Sequence, residues 1–373
     1  MGPAALKNAP EEPMHVHDEE ADLIRRMPKA ELHVHLDGSL RPDTALELAR
    51  ERGLAEGFDD ADEMRARLTA PEQCLDQADL LRAFDLPIAI MQDRAAIERI
   101  THEMVIDCAS DGTRYLEIRW APALHLERGL GMHESIAAVV EGSRSGMAAA
   151  AGSGSDIEVR LIAVALRSHP PATSLAVAEE AVRFADRGMV GFDFAGREAD
   201  FPDPEPHREA FELARGGGLG ITIHAGEWGG AAQVWRALEV APARIAHGSP
   251  TADDPRLMTT LRERGVTLDL CPTSNYQANI VPRLADHPLP YLLRAGVPIT
   301  LSTDDRTVSE LTLVREYTRA HEVLGLTLPE LWQMNMHALH VAFLHRDEEL
   351  RARLIAEFEA FAAGEPRLSP APG

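Results

Sequence analysis

Only three cysteines, Cys74, Cys108 and Cys271, occur in 373 residues. They form neither an even set nor a CxxC pair, which argues against a disulfide framework or a thiolate zinc cage and points to a reducing, cytoplasmic compartment. Long apolar runs are also missing. No stretch reaches the roughly 18 residues of a membrane span, and the opening MGPAALKNAPEEPMHVHDEE has no sustained apolar segment of the signal-peptide kind. Basic charge is scarce: 37 Lys and Arg stand against 60 Asp and Glu, a net charge of -23 without a basic stripe. Such a chain repels a phosphate backbone, so nucleic acid is not an expected partner, and neither is a membrane. What is present, 45% hydrophobic and 26% charged residues, suits a globular protein with a large core.

Residues 1 to about 20 are polar and acidic, and the end, EPRLSPAPG, is similar. Both read as disordered tails (1–20 and 363–373) flanking one domain over 21–362. Within it, short runs of strand length recur: KAELHVH, TRYLEIRWAP, DIEVRLIAVAL, MVGFDFAG, LGITIHAGE, ARIAHGS, GVTLDLCPTS and GVPITLSTDD. Most are rich in Val, Ile and Leu and bounded by Gly, Pro or Asp, as strands buried on both faces of a parallel sheet should be. Helix-like stretches such as DRAAIERITHEMVIDCASDG and DPRLMTTLRERG lie between them, several ending in glycine. Eight β-then-α units predict an α/β fold, a single-domain (β/α)8 barrel, in preference to an open sheet with an insertion. The long section from about 41 to 112 predicts an elaborated helical first crossover over the barrel mouth.

Barrel chemistry sits at the C-terminal ends of the strands. The first run ends in His33-Val34-His35, whose two-residue spacing puts both imidazoles on one face of an extended chain, followed by Asp37. The fifth ends in His224-Ala225-Gly226-Glu227, the sixth in His247-Gly248 and the eighth in Asp304-Asp305. Alone, His247 reads as a core histidine and Asp304-Asp305 as a helix cap, but four strand ends bearing such groups are hard to ascribe to packing, because buried imidazoles and carboxylates need partners. His15-Val16-His17 has the same spacing as the first pair yet lies in the acidic tail and is not expected to bind metal. Nitrogen and oxygen donors without thiolates suit zinc first, with iron, cobalt or manganese as alternatives. An open metal position would activate water, and Glu227 could move protons.

The strings PKAELHVHLDGSL, GFDFAGRE, HAGE, RIAHG, CPTSN and STDD, in this order across roughly residues 23–345, resemble the adenosine deaminase family. The resemblance implies one zinc per chain, held by residues matching His33, His35, His224 and Asp304, and hydrolytic release of ammonia from the 6-position of adenosine or 2'-deoxyadenosine in purine salvage. In the family's mechanism the residue matching Glu227 protonates purine N1, the one matching His247 assists water deprotonation and stabilises the developing alkoxide, and the one matching Asp305 orients the water. The match also places His35 and Asp305 beside the substrate. Gly196 matches a backbone donor to purine N3, where a side chain would block close approach, and Asp37 an acceptor for the ribose 5'-hydroxyl.

CPTSN reads as a structural strand end, with no role assigned to Cys271, and Phe84 as either a lid or a core residue. Two departures bear on the substrate. Ala246 stands where RIGHG is the commoner pattern, and Arg306 follows the aspartate pair in place of proline, where it would add positive charge near the mouth. Adenine or a 5'-modified adenosine is therefore an alternative substrate. A catalytically inactive nucleoside-binding barrel would be expected to have lost a ligand or Glu227, and none is lost. A two-metal amidohydrolase would be expected to place a lysine at a later strand end, and there is none. Oligomeric state is open.

Overall fold

The computed structural model describes residues 18–369. Eight parallel strands follow one another around a barrel in sequence order: β1 (Lys29–His35), β2 (Thr113–Trp120), β3 (Glu158–Leu166), β4 (Met189–Ala195), β5 (Gly220–Ala225), β6 (Arg244–His247), β7 (Thr267–Leu270) and β8 (Ile299–Leu301). Each falls within its expected run. Closure comes at the β1–β8 seam, where Val34 and Asp304 form a parallel bridge. The His35 N–H donates to Asp304 O at 2.7 Å and the Asp304 N–H to His33 O at 3.0 Å. A doubly wound open sheet is excluded by that seam.

Local chemistry explains the helix ends. Asp254 caps the helix Pro255–Arg264, its side chain accepting from the Arg256 and Leu257 N–H groups, Pro255 occupies the first turn, and Gly265 closes the helix in the left-handed conformation at φ 64°. Asp93 likewise accepts from the Ala96 N–H at the start of Arg94–Ser110. Between β1 and β2 the chain forms the helices Pro42–Glu51, Ala61–Leu68, Gln77–Leu81, Asp85–Ile90 and Arg94–Ser110. This is the elaborated crossover, and part of it stands over the mouth.

The ordered part extends past the expected tail boundaries. The helix Asp18–Arg26 leads to fully buried Leu23, Ile24 and Met27, and Leu368 is buried at the other end, so secondary structure is described on both sides of the expected boundaries. Apolar burial draws both segments onto the barrel. His15 and His17 lie outside the described residues. Among the described residues no helix is long and apolar enough to cross a membrane.

The β4–β5 junction is tight. Gly191 pairs with Gly220, and the Phe343 ring covers both, so that a Cβ on Gly220 would lie 2.2 Å from its Cδ1. Gly220→Ala is therefore expected to destabilise the fold by about 1–3 kcal/mol, the usual cost of overpacking, with no loss of bound metal. Denaturant unfolding followed by metal analysis checks this.

Candidate active site

Four donors from two strands and the turn after a third meet inside the mouth: His33 and His35 of β1, His224 of β5, and Asp304 after β8. One ligand atom from each lies within 4.8 Å of all the others. His33 Nε2 is 3.0 Å from Asp304 Oδ1, yet that buried nitrogen makes no hydrogen bond. Both atoms face a common centre instead. His35 Nε2 and His224 Nε2 are 3.2 Å apart. Asp193, held well below the usual carboxylate range by His224 and Arg119 against the cost of burial, lies 3.0 Å from His224 Nδ1. An ionised carboxylate only accepts, so the His224 Nδ1–H donates to it and Nε2 turns toward the centre. Burial, the largest cause, lowers His35 to about 3 and holds His33 well below its ordinary value, keeping both imidazoles neutral. Three imidazoles and a carboxylate, with one imidazole backed by a further carboxylate, are the donor set of a cationic metal. The residues present fit one.

The backbone aims these groups. Asp304 and His247 both adopt left-handed conformations, at φ 66° and 65°, which few residues other than glycine take and which recur at functional sites. His247 Nε2 lies 3.8 Å from Glu227 Oε1 and 3.8 Å from Asp304 Oδ2. The Glu227 carboxyl is pushed well above the usual range, first by burial and then by the carboxylates of Asp304 and Glu198. Burial and those two carboxylates thus favour its protonated form. Asp305 is raised in the same way by burial, Asp304 and Asp37, and its Oδ1 is buried without a partner. Burial lifts Asp37 to about 6.

A cavity of about 250 Å³ joins these groups. His35, Asp37, Gly196, Glu227, His247, Asp304 and Asp305 all line it, with Leu80, Leu81, Phe84 and Ile88 of the crossover as an apolar cover. Phe84 is thus a wall residue that also packs on a small satellite core around Cys74 and Val308. Every expected site residue lines the cavity except His33, which is fully buried behind it among the other three donors. A larger groove, about 460 Å³, opens at the opposite end of the barrel, but its arginines are engaged with Glu141, Asp186 and Asp347 and it holds none of the metal donors.

One expectation is corrected. Arg306 does not reach the mouth: its side chain is only 10% exposed and pairs with Asp111 at 3.4 Å, drawn down behind β1 where Glu31 and Asp111 offer opposite charge. Gly196 adopts a φ of 99°, strained for any other residue, and a Cβ there would meet the protein's own atoms only at ordinary contact distances. Ala246 is buried in β6, away from the cavity lining.

Sequence reading missed the groups behind the donors. Ser274 donates to Asp304 Oδ2 at 2.6 Å, and Asn275 lies 3.0 Å from His247 Nδ1, so CPTSN holds two site residues rather than merely ending a strand. Glu198 accepts from the N–H groups of Gly226, Trp228 and Gly229 and pins the loop bearing Glu227. The available signal was a lone acid in an apolar run, as with Asp193 in GFDFAG: a buried carboxylate must have a partner. Cys271, 3.6 Å from His33 Nδ1, keeps its proton because burial raises it well above its ordinary value, which makes it a poor nucleophile and ligand.

The sequence model of the family described as Adenosine deaminase matches residues 28–359. The chain is 38% identical to an adenosine deaminase of Mycobacterium ulcerans over 343 residues, covering 88% of this chain and 94% of the relative. It is 39% identical to adenosine deaminase 1 of Streptomyces coelicolor over 346 residues, covering 88% and 86%. Among solved structures it resembles an adenine deaminase from Arthrobacter aurescens, with a TM-score of 0.80, 26% identity and coverage of 90% and 99%. It also resembles the N6-methyl-AMP deaminase of Arabidopsis thaliana, with a TM-score of 0.80, 28% identity and coverage of 91% and 98%.

Gly38 separates metal binding from the rest of the site. Its backbone passes so close to Asp305 that a Cβ would sit 1.8 Å from Oδ1. Gly38→Ala should displace Asp305 and lower turnover by on the order of 100-fold, as misplacement by an ångström does, while bound metal is retained. His224→Ala should lose both. Metal content measured beside turnover distinguishes the two variants.

Proposed function

The chain belongs to the adenosine deaminase family, and we propose that it hydrolyses adenosine and 2'-deoxyadenosine to their inosine counterparts and ammonia, with one zinc ion held by His33, His35, His224 and Asp304. The observation that carries this reading is the meeting of those four donors with Glu227, a buried carboxyl raised well above the usual range, around one cavity. When bound, zinc supplies Lewis acidity that brings the pKa of a coordinated water toward neutrality.

The chain's own groups do the rest. Glu227, its carboxyl held well above the usual range, offers a proton to purine N1, which draws electron density from C6. Asp305, with a buried and unpartnered oxygen, accepts a hydrogen bond from the attacking water and fixes its approach. His247 stands against the same space, close to Glu227 and Asp304. The Gly196 backbone borders the purine edge, and the crossover's Leu80, Leu81 and Phe84 exclude bulk water. Ammonia release from purified zinc-loaded protein tests the reading. Glu227→Gln keeps shape but has no carboxyl proton to give, so kcat should fall by on the order of 100-fold or more with substrate binding little changed. A near-normal kcat would remove Glu227 from the chemistry.

The solved relatives include enzymes acting on adenine and on N6-methyl-AMP, so the substrate's 5' end needs its own argument. The cavity wall carries Asp37 and Asp85, and its one guanidinium, Arg197, is half exposed and paired with Asp200. With Arg306 turned away, no cation among the described residues of the wall is free to meet a phosphate. Asp37 can accept a hydrogen bond from a free 5'-hydroxyl but opposes a phosphate by like charge in a partly dry site, a cost of several kcal/mol. Adenosine should exceed AMP in kcat/KM by on the order of 100-fold or more, with the gap narrowing in Asp37→Asn. A wild-type preference for AMP would overturn the nucleoside assignment.

A further inference from the structure

Behind His247 a chain of buried groups leads away from the cavity. His287, 3% exposed, precedes the helix Leu289–Arg294. Its Nδ1 accepts from the Leu289 backbone N–H at 3.2 Å. Its Nε2 lies 3.1 Å from Asn275 Oδ1, and Asn275 Nδ2 lies 3.0 Å from His247 Nδ1. Ring tautomers and amide orientations are ordinarily ambiguous, because each group can be turned to suit its neighbour. Here one member cannot be turned.

A backbone N–H only donates, so His287 Nδ1 must be bare. Burial lowers His287 to about 3, so the ring is neutral and its one proton is on Nε2. That proton requires an acceptor, which makes the facing atom of Asn275 its carbonyl oxygen. The amide group of Asn275 then points the other way, at His247 Nδ1, which must accept. We infer that the relay Leu289 N–H, His287, Asn275 fixes His247 in the tautomer protonated at Nε2, so that it presents a hydrogen-bond donor, and not a lone pair, to the reaction space.

An independent observation agrees. His247 Nε2 faces two carboxyl oxygens, Glu227 Oε1 and Asp304 Oδ2, each 3.8 Å away. Against the Asp304 carboxylate a bare ring nitrogen would set lone pair against lone pair, whereas N–H is attracted to it. With the opposite tautomer His247 could take a proton from water through Nε2. In the tautomer assigned here it stabilises negative charge developing on the oxygen added at C6. Asn275 and His287 are positioning residues: neither lines the cavity, and both act through the polarity they impose on His247.

The assignment rests on the proposed deaminase reading for its kinetic consequence only, since the tautomer can be observed without substrate. Histidine side-chain nitrogen NMR of the zinc-loaded protein, with signals assigned by their loss in His247→Gln and His287→Leu, should show both rings neutral, protonated at Nε2 and bare at Nδ1. Asn275→Asp replaces the donor by an acceptor and should place a proton on His247 Nδ1. In that variant kcat should fall by on the order of 100-fold, the usual cost of losing a donor to a developing oxyanion, with KM and zinc content little changed. His287→Leu should lose kcat as well, and His287→Gln, which restores an N–H at the Nε2 position, should recover most of it. A wild-type spectrum with His247 protonated at Nδ1 overturns the inference, as does an Asn275→Asp variant with unchanged kcat. If Asn275→Asp fails to fold, the wild-type spectrum still decides. Expected spectra in a protein that releases no ammonia would refute the deaminase reading and leave the relay standing.

Discussion

The seam between β1 and β8 is the constraint on which the site depends. β8 is only three residues long, so the last strand cannot lay a full ladder against the first. Side chains close the lower part instead: Ser302 Oγ accepts from the Leu32 N–H at 3.4 Å, and Glu31 Oε1 accepts from the Thr303 N–H at 2.9 Å. Two backbone bonds then join Asp304 to His33 and His35. The bonds that shut the barrel are thereby the bonds that fix three of the four metal donors relative to one another. Because closure requires consistent tilt and stagger around all eight strands, the donor geometry is a property of the whole barrel.

The barrel interior meets the same requirement with charge. Glu117, Arg119, Asp193, Arg244 and Asp269 are all fully buried. Arg244 pairs with Glu117 and, at 3.0 Å, with Asp269. Arg119 lies 3.8 Å from Asp269 and 3.0 Å from Asp193, which backs His224. A buried ion pair contributes little net stability, because desolvation offsets most of the attraction. What this chain contributes is alignment: Asp193, held by Arg119 from one side, can only take the His224 Nδ1 proton from the other, and the imidazole is locked with Nε2 toward the metal position.

These two devices mark how far the sequence could be read. Strand positions and the ends that carry chemistry were legible because Gly, Pro and Asp bound each apolar run and because a barrel presents its strand ends on one face. Crossover residues over the mouth followed from the length of the first connection. The interior charges were not legible in function: Glu117 and Arg119 alternate within TRYLEIRW, but their partners lie on β4, β6 and β7, and no local pattern reports such distances. His287 sits in a polar connection where its burial leaves no trace, and Arg306 looked like a mouth residue because adjacency to Asp305 says nothing of direction after the left-handed turn at Asp304. Partnership across the barrel, rather than composition, decides each of these.

Glu198 shows why such partnerships matter for chemistry as well as for shape. By accepting three backbone N–H groups it holds the loop from Gly226 to Gly229, and so the position of Glu227 within it. A neutral acceptor could do that much. A carboxylate does more, because its charge joins burial and Asp304 in holding the Glu227 proton in place. The same residue therefore fixes where the acid stands and keeps it an acid, and a change that preserved the hydrogen bonds while removing the charge would leave the loop in position with one of the three causes of that protonation gone.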